Sequence, residues 1–498
     1  MPHKILFWID DSLIHFGIAN SLQNKLDCEL YSIISVANKK ENFFKKQNLV
    51  KFKKIWFHND ISTDQSKSYS IDYLQKFEKE YKIDLWKLVY NDRTFFNFNE
   101  FYKFTTNEVL TIVEQEIRLF EKILDEVKPD FICIFPVLRP AYLFYLMCKS
   151  RNIVPIMLDA SRIPGKSILH SGDNELEFKK DVAHSSKNLA NISLNEFLNQ
   201  SMQKQVSKES EHWLKPNKKF FLAVLKFLFS DNSSKNTHYT YFGRTKGKVL
   251  INYLYDLIRV RNRKNWLDEN AIHKIEPKKP FIFFPLHLEQ EMSLLILAPF
   301  YTNQLEVIKN LVKSLPMGYE LYVKDHPLMY ARSWRKISIY KEIMNLPNVK
   351  LIHPSVNSNE LLEKCALVFT ILGTTALDAG FFGKFAIVLS KRPDIPILSH
   401  MHQLNNFDEL PAVIKKLVNS KSDKSDYFHF IDFLKKSSLD VDFTVLVNSY
   451  DDFFHYSGFL IDMEIPIDGM KKLLAKIKDQ NDLIAEKFIE IINNNSVG

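Results

Sequence analysis

Short, predominantly apolar runs recur along this chain, and most of them stop at a polar cluster. KILFWI at 4–9 is the first, followed by runs at 29–34, 131–135 and 154–158. After residue 280 the form returns at 281–284, 321–323, 349–352, 367–371 and 385–389. Runs of strand length that are apolar at nearly every position, without polar alternation, fit strands covered on both faces. Helix-period stretches lie between them, as in Ile14, Ile18 and Leu22, at 140–150, at 376–382, and in Leu305, Ile308, Leu311, Val312 and Leu315. Asn303 with Glu306, and Asn357 with Glu360, have the spacing of helix-capping pairs. Strands alternating with helices predict α/β architecture with parallel sheets. A chain of 498 residues exceeds what one core usually holds, so two such domains are expected.

The rhythm breaks between them. From 185 to 277 the sequence is polar, basic and aromatic-rich, with helix-like stretches at 220–229 and 249–260, and the EPKKP sequence at 276–280 reads as a linker. The predicted plan is an N-terminal Rossmann-like acceptor domain at 1–184, a basic helical module at 185–277, a second Rossmann-like domain at 278–415, and a mostly helical region at 416–498. Its last amphipathic segment covers 470–492. Between Lys204 and Lys264 stand 14 Lys or Arg against 4 Asp or Glu, whereas the whole chain has a formal charge of +8. Such a segment is either a solvated helical face or a surface for an anionic partner, such as lipid headgroups or a phosphorylated acceptor. No zinc spacing, RNA-recognition aromatic motif or helix-turn-helix pattern points to nucleic acid. No window reaches the length of apolar residues a membrane-spanning helix needs. Cys28, Cys133, Cys148 and Cys365 are scattered, and the N-terminus leads straight into a strand-like run without a signal-peptide pattern. Reduced thiols and a cytoplasmic location are expected.

In parallel α/β sheets, ligands bind outside the carboxyl ends of the strands. In the first half those ends carry Asp10, Asp11, Arg139, Asp159 and Arg162. In the second half three ends are rich in polar groups. Phe284-Pro285-Leu286-His287 leads to Glu289, Gln290 and Glu291; Lys324-Asp325-His326-Pro327 ends the next strand; Gly373-Thr374-Thr375 opens a helix. Free N–H groups at a helix start, with hydroxyls beside them, favour an anion. Lys324 and His326 from a neighbouring strand end would add donors around a phosphate, and Asp378, one turn on, is spaced to accept from a ribose diol. Taken singly, a His-Pro is a turn, Gly-Thr-Thr a helix cap, Asp378 a solvated residue and His287 a core histidine. Their succession at strand ends of one domain points to a nucleotide site. Asp440-Val441-Asp442 lies far from any such end, so a nucleotide–metal site is not expected there.

FFPLHLEQE, YVKDHP and ILGTTALDAG, within 281–390, resemble the nucleotide-binding half of capsule and surface-polysaccharide glycosyltransferases. That group has the GT-B fold of two facing Rossmann-like domains and is similar to bacterial Kdo (3-deoxy-octulosonate) transferases and sialyltransferases, with their His-Pro and paired Ser/Thr motifs. The resemblance implies transfer of a sugar, Kdo or another nonulosonic-type acid, from a nucleotide donor such as a CMP-sugar to a surface polysaccharide or lipid-linked glycan. No resident cofactor or metal is implied. His326 and the Thr374 and Thr375 hydroxyls would hold the leaving phosphate, with His287, Glu291, Lys324, Gly373 and Asp378 completing the donor site. Asp378 departs from the glutamate usual at its position. For a base to deprotonate the acceptor, Asp10, Asp11, His15 and Asp173 are available, with Asp10 or Asp11 favoured. A polyol-phosphate transferase, a nucleotide-sugar 2-epimerase or an inactive GT-B binding scaffold would share the fold. Peripheral contact with an anionic inner-membrane face through 204–264 is a further expectation.

Overall fold

The computed structural model describes residues 2–36, 38–61, 68–171, 225, 228–229, 238–331, 335–392, 395–454 and 464–496. The strands among them are β1 (His3–Asp10), β2 (Cys28–Ser35), β3 (Lys54–Phe57), β4 (Phe131–Cys133), β5 (Val154–Ala160) and β6 (Ser167–His170), then β7 (Phe281–Pro285), β8 (Glu320–Lys324), β9 (Val349–Ile352), β10 (Leu367–Thr370), β11 (Ala386–Val388), β12 (Met401–Gln403) and β13 (Ser438–Leu439). They form two sheets, in the orders β13-β6-β5-β4-β1-β2-β3 and β12-β11-β10-β7-β8-β9. The described residues divide into two compact units. One takes residues 2 to 249 and again 437 to 496; the other takes 250 to 436.

In the first unit β1 is central and pairs in parallel with β2 and β4. Its side chains alternate between two cores: Ile5, Phe7 and Ile9 face one, Leu6 and Trp8 the other. A strand buried on both sides needs apolar side chains on both faces, which is why Ile5–Ile9 has no polar interruption. The parallel expectation fails at one edge, where β6 pairs antiparallel with β5 and β13 antiparallel with β6. Only residues 161–166 join β5 to β6, far fewer than a parallel crossover needs. Gly165, at φ +75, makes the turn, and the Ser161 N–H donates to the Lys166 carbonyl at 2.9 Å.

The core faced by Ile5, Phe7 and Ile9 contains residues from both ends of the chain. Phe7 stacks on Phe488 with centroids 6.3 Å apart, and Tyr450, Leu473, Ile484 and Ile492 are buried beside Phe16 and Ile18. The amphipathic segment expected at 470–492 is two helices, Ile467–Lys476 and Lys478–Ser496. The helix Phe443–Phe454 precedes them, capped by Asp442, whose Oδ1 accepts from the N–H groups of Thr444 (2.9 Å) and Val445 (3.1 Å). The region 416–498 is therefore divided: Ser425–Ser437 falls largely in the second unit and the rest returns to the first.

In the second unit every strand pair is parallel, so all carboxyl ends share one edge. Asn303 caps the helix Gln304–Lys313 through the Glu306 N–H at 3.4 Å, and Asn357 caps Ser358–Lys364 through the Asn359 N–H at 2.9 Å. Of the basic module, the helix expected at 249–260 lies inside a longer one, Lys246–Asn270, while most of 185–237, and Asp173, lie outside the described residues. No helix among the described residues is long and apolar enough to cross a membrane. Cys133, Cys148 and Cys365 are buried, Cys28 is half-buried, and all four are free thiols.

Candidate functional site

Because β10, β7 and β8 are neighbours in that order, the three polar strand ends lie side by side. His287 follows β7. Its Nε2 lies 2.5 Å from the Leu372 carbonyl oxygen and 3.4 Å from Thr370 Oγ1. A carbonyl only accepts, so Nε2 carries the proton and Nδ1 is left as an acceptor; Nδ1 is buried with no partner among the described residues. The ring thus ties the end of β7 to the turn that leads into the Thr374–Phe381 helix. Its backbone is fixed as well: the His287 N–H donates to Gln304 Oε1 at 2.7 Å, and Gln304 Nε2 donates back to the His287 carbonyl at 3.0 Å.

His326 has the same tautomer. Its Nδ1 accepts the Leu328 N–H at 3.2 Å, which leaves Nε2 to carry the proton as a donor. Burial, then the nearby Lys324 cation, holds its pKa down to about 3; burial holds that of His287 to about 4. Both rings are neutral at ordinary pH, and beside His326 the foremost formal positive charge is that of Lys324. This lysine is 4% exposed, and burial lowers its pKa to about 8, partly offset by Asp325. No carboxylate among the described residues comes within ion-pairing distance of its ammonium. Asp325 is otherwise occupied: it accepts from the Arg335 guanidinium, the Tyr340 hydroxyl and the His326 N–H, the last at 2.7 Å.

Gly373 caps the Thr374–Phe381 helix in extended backbone, and a Cβ built on it would stand 3.6 Å from both His287 Nε2 and Thr370 Oγ1. The first turn leaves the Thr374 and Thr375 N–H groups without intrahelical acceptors. A buried cation and an imidazole donor after β8, and a helix start after β10, thus stand on one sheet edge on either side of β7, groups of the kind that neutralise an anion. Asp378 is half-buried one turn further on, and its charge, after burial, helps push the Tyr427 hydroxyl's pKa up. Glu291 is exposed, and its carbonyl accepts the Leu294 and Leu295 N–H groups at 3.1 and 3.0 Å, starting the short Met292–Leu295 helix.

Two arginines that carry no sequence signal belong to this edge. Arg335 is 2% exposed and donates to Glu289 Oε1 at 3.0 Å and to the His287 carbonyl at 2.8 Å, besides Asp325. It joins the β7 and β8 loops. Arg392, beyond β11, stands near enough to His287 to help lower its pKa, second to burial among the lowering influences. His353, at the end of β9, is a structural strand end: its Nε2 contacts Asp268 Oδ1 at 3.0 Å and its Nδ1 contacts Ser355 Oγ at 2.6 Å.

The family model described as capsule polysaccharide biosynthesis protein matches residues 185–392, a stretch that contains β7 to β11. No curated protein matches the sequence. Among solved structures, the beta Kdo 2,4 transferase of Thermosulfurimonas dismutans KpsC is 11% identical over 60% of this chain and 78% of its own, with a TM-score of 0.32. The beta Kdo 2,7 transferase of the same protein is 12% identical over 63% and 79%, at 0.29. The UDP-GlcNAc 2-epimerase of Methanocaldococcus jannaschii is 13% identical over 88% and 100%, at 0.24. Scores this low carry no argument about activity, and the architecture is read from the two sheets themselves.

At the carboxyl edge of the first sheet, the two favoured carboxylates differ. Asp11 Oδ1 pairs with Lys40 Nζ at 2.6 Å, and Lys40 is itself buried. Asp10 Oδ1 accepts from the Ser12 N–H (3.0 Å) and hydroxyl (2.5 Å). His15 is buried, and burial lowers its pKa against the opposing influence of Asp10. Arg139 is enclosed: it donates to Asp92 Oδ2 (2.5 Å), to both Glu116 oxygens and to the Tyr239 hydroxyl (3.1 Å).

Proposed function

We propose that this chain is a glycosyltransferase that moves a sugar from a nucleotide donor to a growing surface polysaccharide or lipid-linked glycan. One observation carries the reading. The buried Lys324 and the Nε2 donor of His326 at the end of β8, and the open N–H groups of Thr374 and Thr375 after β10, share one sheet edge on either side of β7, inside the stretch matched by the capsule model. The donor proposed is a CMP-sugar, carrying Kdo or another nonulosonic-type acid.

As the glycosidic bond breaks, charge grows on the leaving phosphate. Lys324 and the helix start answer it with fixed positive charge, and His326 with a neutral donor already aimed by its Nδ1 bond. The Thr374 and Thr375 hydroxyls add donors, and Asp378 is proposed for the ribose and Glu291 for the sugar. His287 and Arg335 act indirectly, by holding the loops that carry the donors. For the acceptor hydroxyl we assign Asp10 as base ahead of Asp11. Asp10 Oδ2 takes no hydrogen bond among the described residues, whereas Asp11 is held by Lys40. The acceptor is proposed to be held near an anionic membrane surface by the basic stretch 204–264.

The test is a thermal-shift screen with CMP, CDP, UDP and GDP, repeated on His326→Ala. A nucleotide should raise the Tm of the wild type, and the variant should lose that rise while melting cooperatively on its own. If no nucleotide shifts the wild type, the reading falls.

A further inference from the structure

The long helix Lys246–Asn270 is anchored near its C-terminus, and a set of its earlier side chains is exposed. Near its C-terminus Leu267 is buried with Ala271, Tyr340 and Leu351, and Trp266 stacks on Tyr340 at 5.9 Å. Arg263 is buried and donates to the Met329 carbonyl at 2.7 Å, while Asp268 meets His353. Two turns earlier the picture reverses. Ile251, Leu254, Tyr255 and Ile258 expose 55, 59, 55 and 57% of their surface. Their spacing of three and four residues puts them in one stripe. Leu257, 50% exposed, borders it.

A contiguous stripe of large aliphatic side chains exposed along one helix face marks an interaction surface. The charges around the stripe say which kind. From Lys246 to Lys264 the helix carries Lys246, Lys248, Arg259, Arg261, Arg263 and Lys264 against a single carboxylate, Asp256. At about 100° per residue, Lys248 and Arg259 lie roughly 60–80° to one side of Ile251, and Arg261 about 80° to the other. Aliphatic residues between two flanks of cations are what a helix needs to lie in the surface of an anionic bilayer, apolar side chains among the acyl chains and cations among the headgroups.

We propose that the Ile251–Leu254–Tyr255–Ile258 face of this helix docks on an anionic lipid surface. This narrows the proposed membrane contact of 204–264 to one face and rests on that reading. It does not depend on nucleotide chemistry, which keeps the two tests separate.

The full chain is mixed with vesicles of phosphatidylcholine alone and of phosphatidylcholine with phosphatidylglycerol, and sedimented. The expected result is co-sedimentation with the anionic vesicles, weakened at least about tenfold with the neutral ones and also by raised salt. Ile251→Asp/Ile258→Asp should lose vesicle binding to a similar extent, and Arg259→Gln/Arg261→Gln should weaken it while leaving the stripe intact. Both variants should keep the wild-type Tm and its nucleotide shift. Wild-type binding by the aspartate variant, or equal binding to neutral vesicles, overturns the proposal. So does a lowered Tm of the aspartate variant, which would mean that the chain covers this face itself, or a wild-type dimer that the variant dissolves, which would mean a second copy does.

Discussion

The Arg335 guanidinium and the Asp325 carboxylate form an ion pair closed off from water, each side chain 1% exposed. The pair fixes the turn between Lys324 and His326, and the same guanidinium reaches Glu289 and the His287 carbonyl on the neighbouring loop. Breaking it by Arg335→Met would leave a buried carboxylate served only by Tyr340 and the His326 N–H. The loss expected is about 3–5 kcal/mol, read by urea unfolding. Arg335→Lys restores charge without the planar fork and should recover only part of that stability. Full recovery by lysine would mean that the fork geometry is not what holds the loops.

Sequence alone could not have found this arginine. It stands ten residues beyond Asp325 with no motif around it, and its role exists only because β7 and β8 are neighbours. The strands were legible for the opposite reason: a strand covered on both faces needs an apolar run, and β1, β7 and β10 carry one in Ile5–Ile9, Phe281–Phe284 and Leu367–Phe369. Short strands at a sheet edge, like β3, or next to one, like β6, carry less of that signal. β3 has three apolar residues and β6 two, Ile168 and Leu169, between Ser167 and His170, so neither stood out. The polar strand ends were visible as a set, but not their division of labour. His287 is occupied by the Leu372 carbonyl, a contact set by loop conformation. Asp10 and Asp11 look alike in sequence and differ in structure because Lys40 reaches one of them.

Lys324 predicts a pH dependence. Burial lowers its pKa to about 8, whereas an unfolded lysine titrates near 10.4. A bound phosphate would raise the value again, so binding takes up a proton above pH 8. Nucleotide affinity should therefore be flat between pH 6 and about 7.5, because His326 and His287 stay neutral there, and fall as pH rises past 8, approaching tenfold per unit. Dissociation constants across that range check it. For stability the sign is opposite: the depressed pKa makes charged Lys324 a burden below pH 8, relieved as pH rises toward the unfolded value. Lys324→Met should hence raise Tm at pH 7 while lowering nucleotide affinity.

Arg139 makes the corresponding prediction in the first unit. Burial pushes the Glu116 carboxyl up, but Arg139, with His58, brings it down to about 2. That stability is present above the unfolded value and is lost as pH falls through about 2. In Arg139→Met, burial is left with only His58 and Tyr239 to oppose it, and the Glu116 pKa should climb above its unfolded value. The variant should be destabilised by about 3–5 kcal/mol at pH 7 and by less at pH 5, where a neutral Glu116 is tolerated. Denaturant midpoints at the two pH values decide it; an equal loss at both would mean that Asp92, not Glu116, suffers from the missing cation.

Gly17 tests the return of the chain's last helices to the first sheet. A Cβ there would stand 2.2 Å from Tyr450 Oη and 2.8 Å from Asn481 Nδ2, on the helices Phe443–Phe454 and Lys478–Ser496. Gly17→Ala should cost about 1–3 kcal/mol by overpacking. Tyr450→Phe removes the nearest atom, so the double variant should recover part of that loss in a double-mutant cycle. The consequence reaches the proposed base. Gly17 lies one turn into Ile14–Leu22, the helix that leaves β1 through Asp10, Asp11 and the left-handed Leu13, so displacing it from Tyr450 pulls on the turn that fixes Asp10. If Asp10 is the base, Gly17→Ala should lower kcat more than the donor KM, and Tyr450→Phe should restore kcat together with stability. Stability restored without kcat would separate the tail's packing from the base and remove Asp10 from that role.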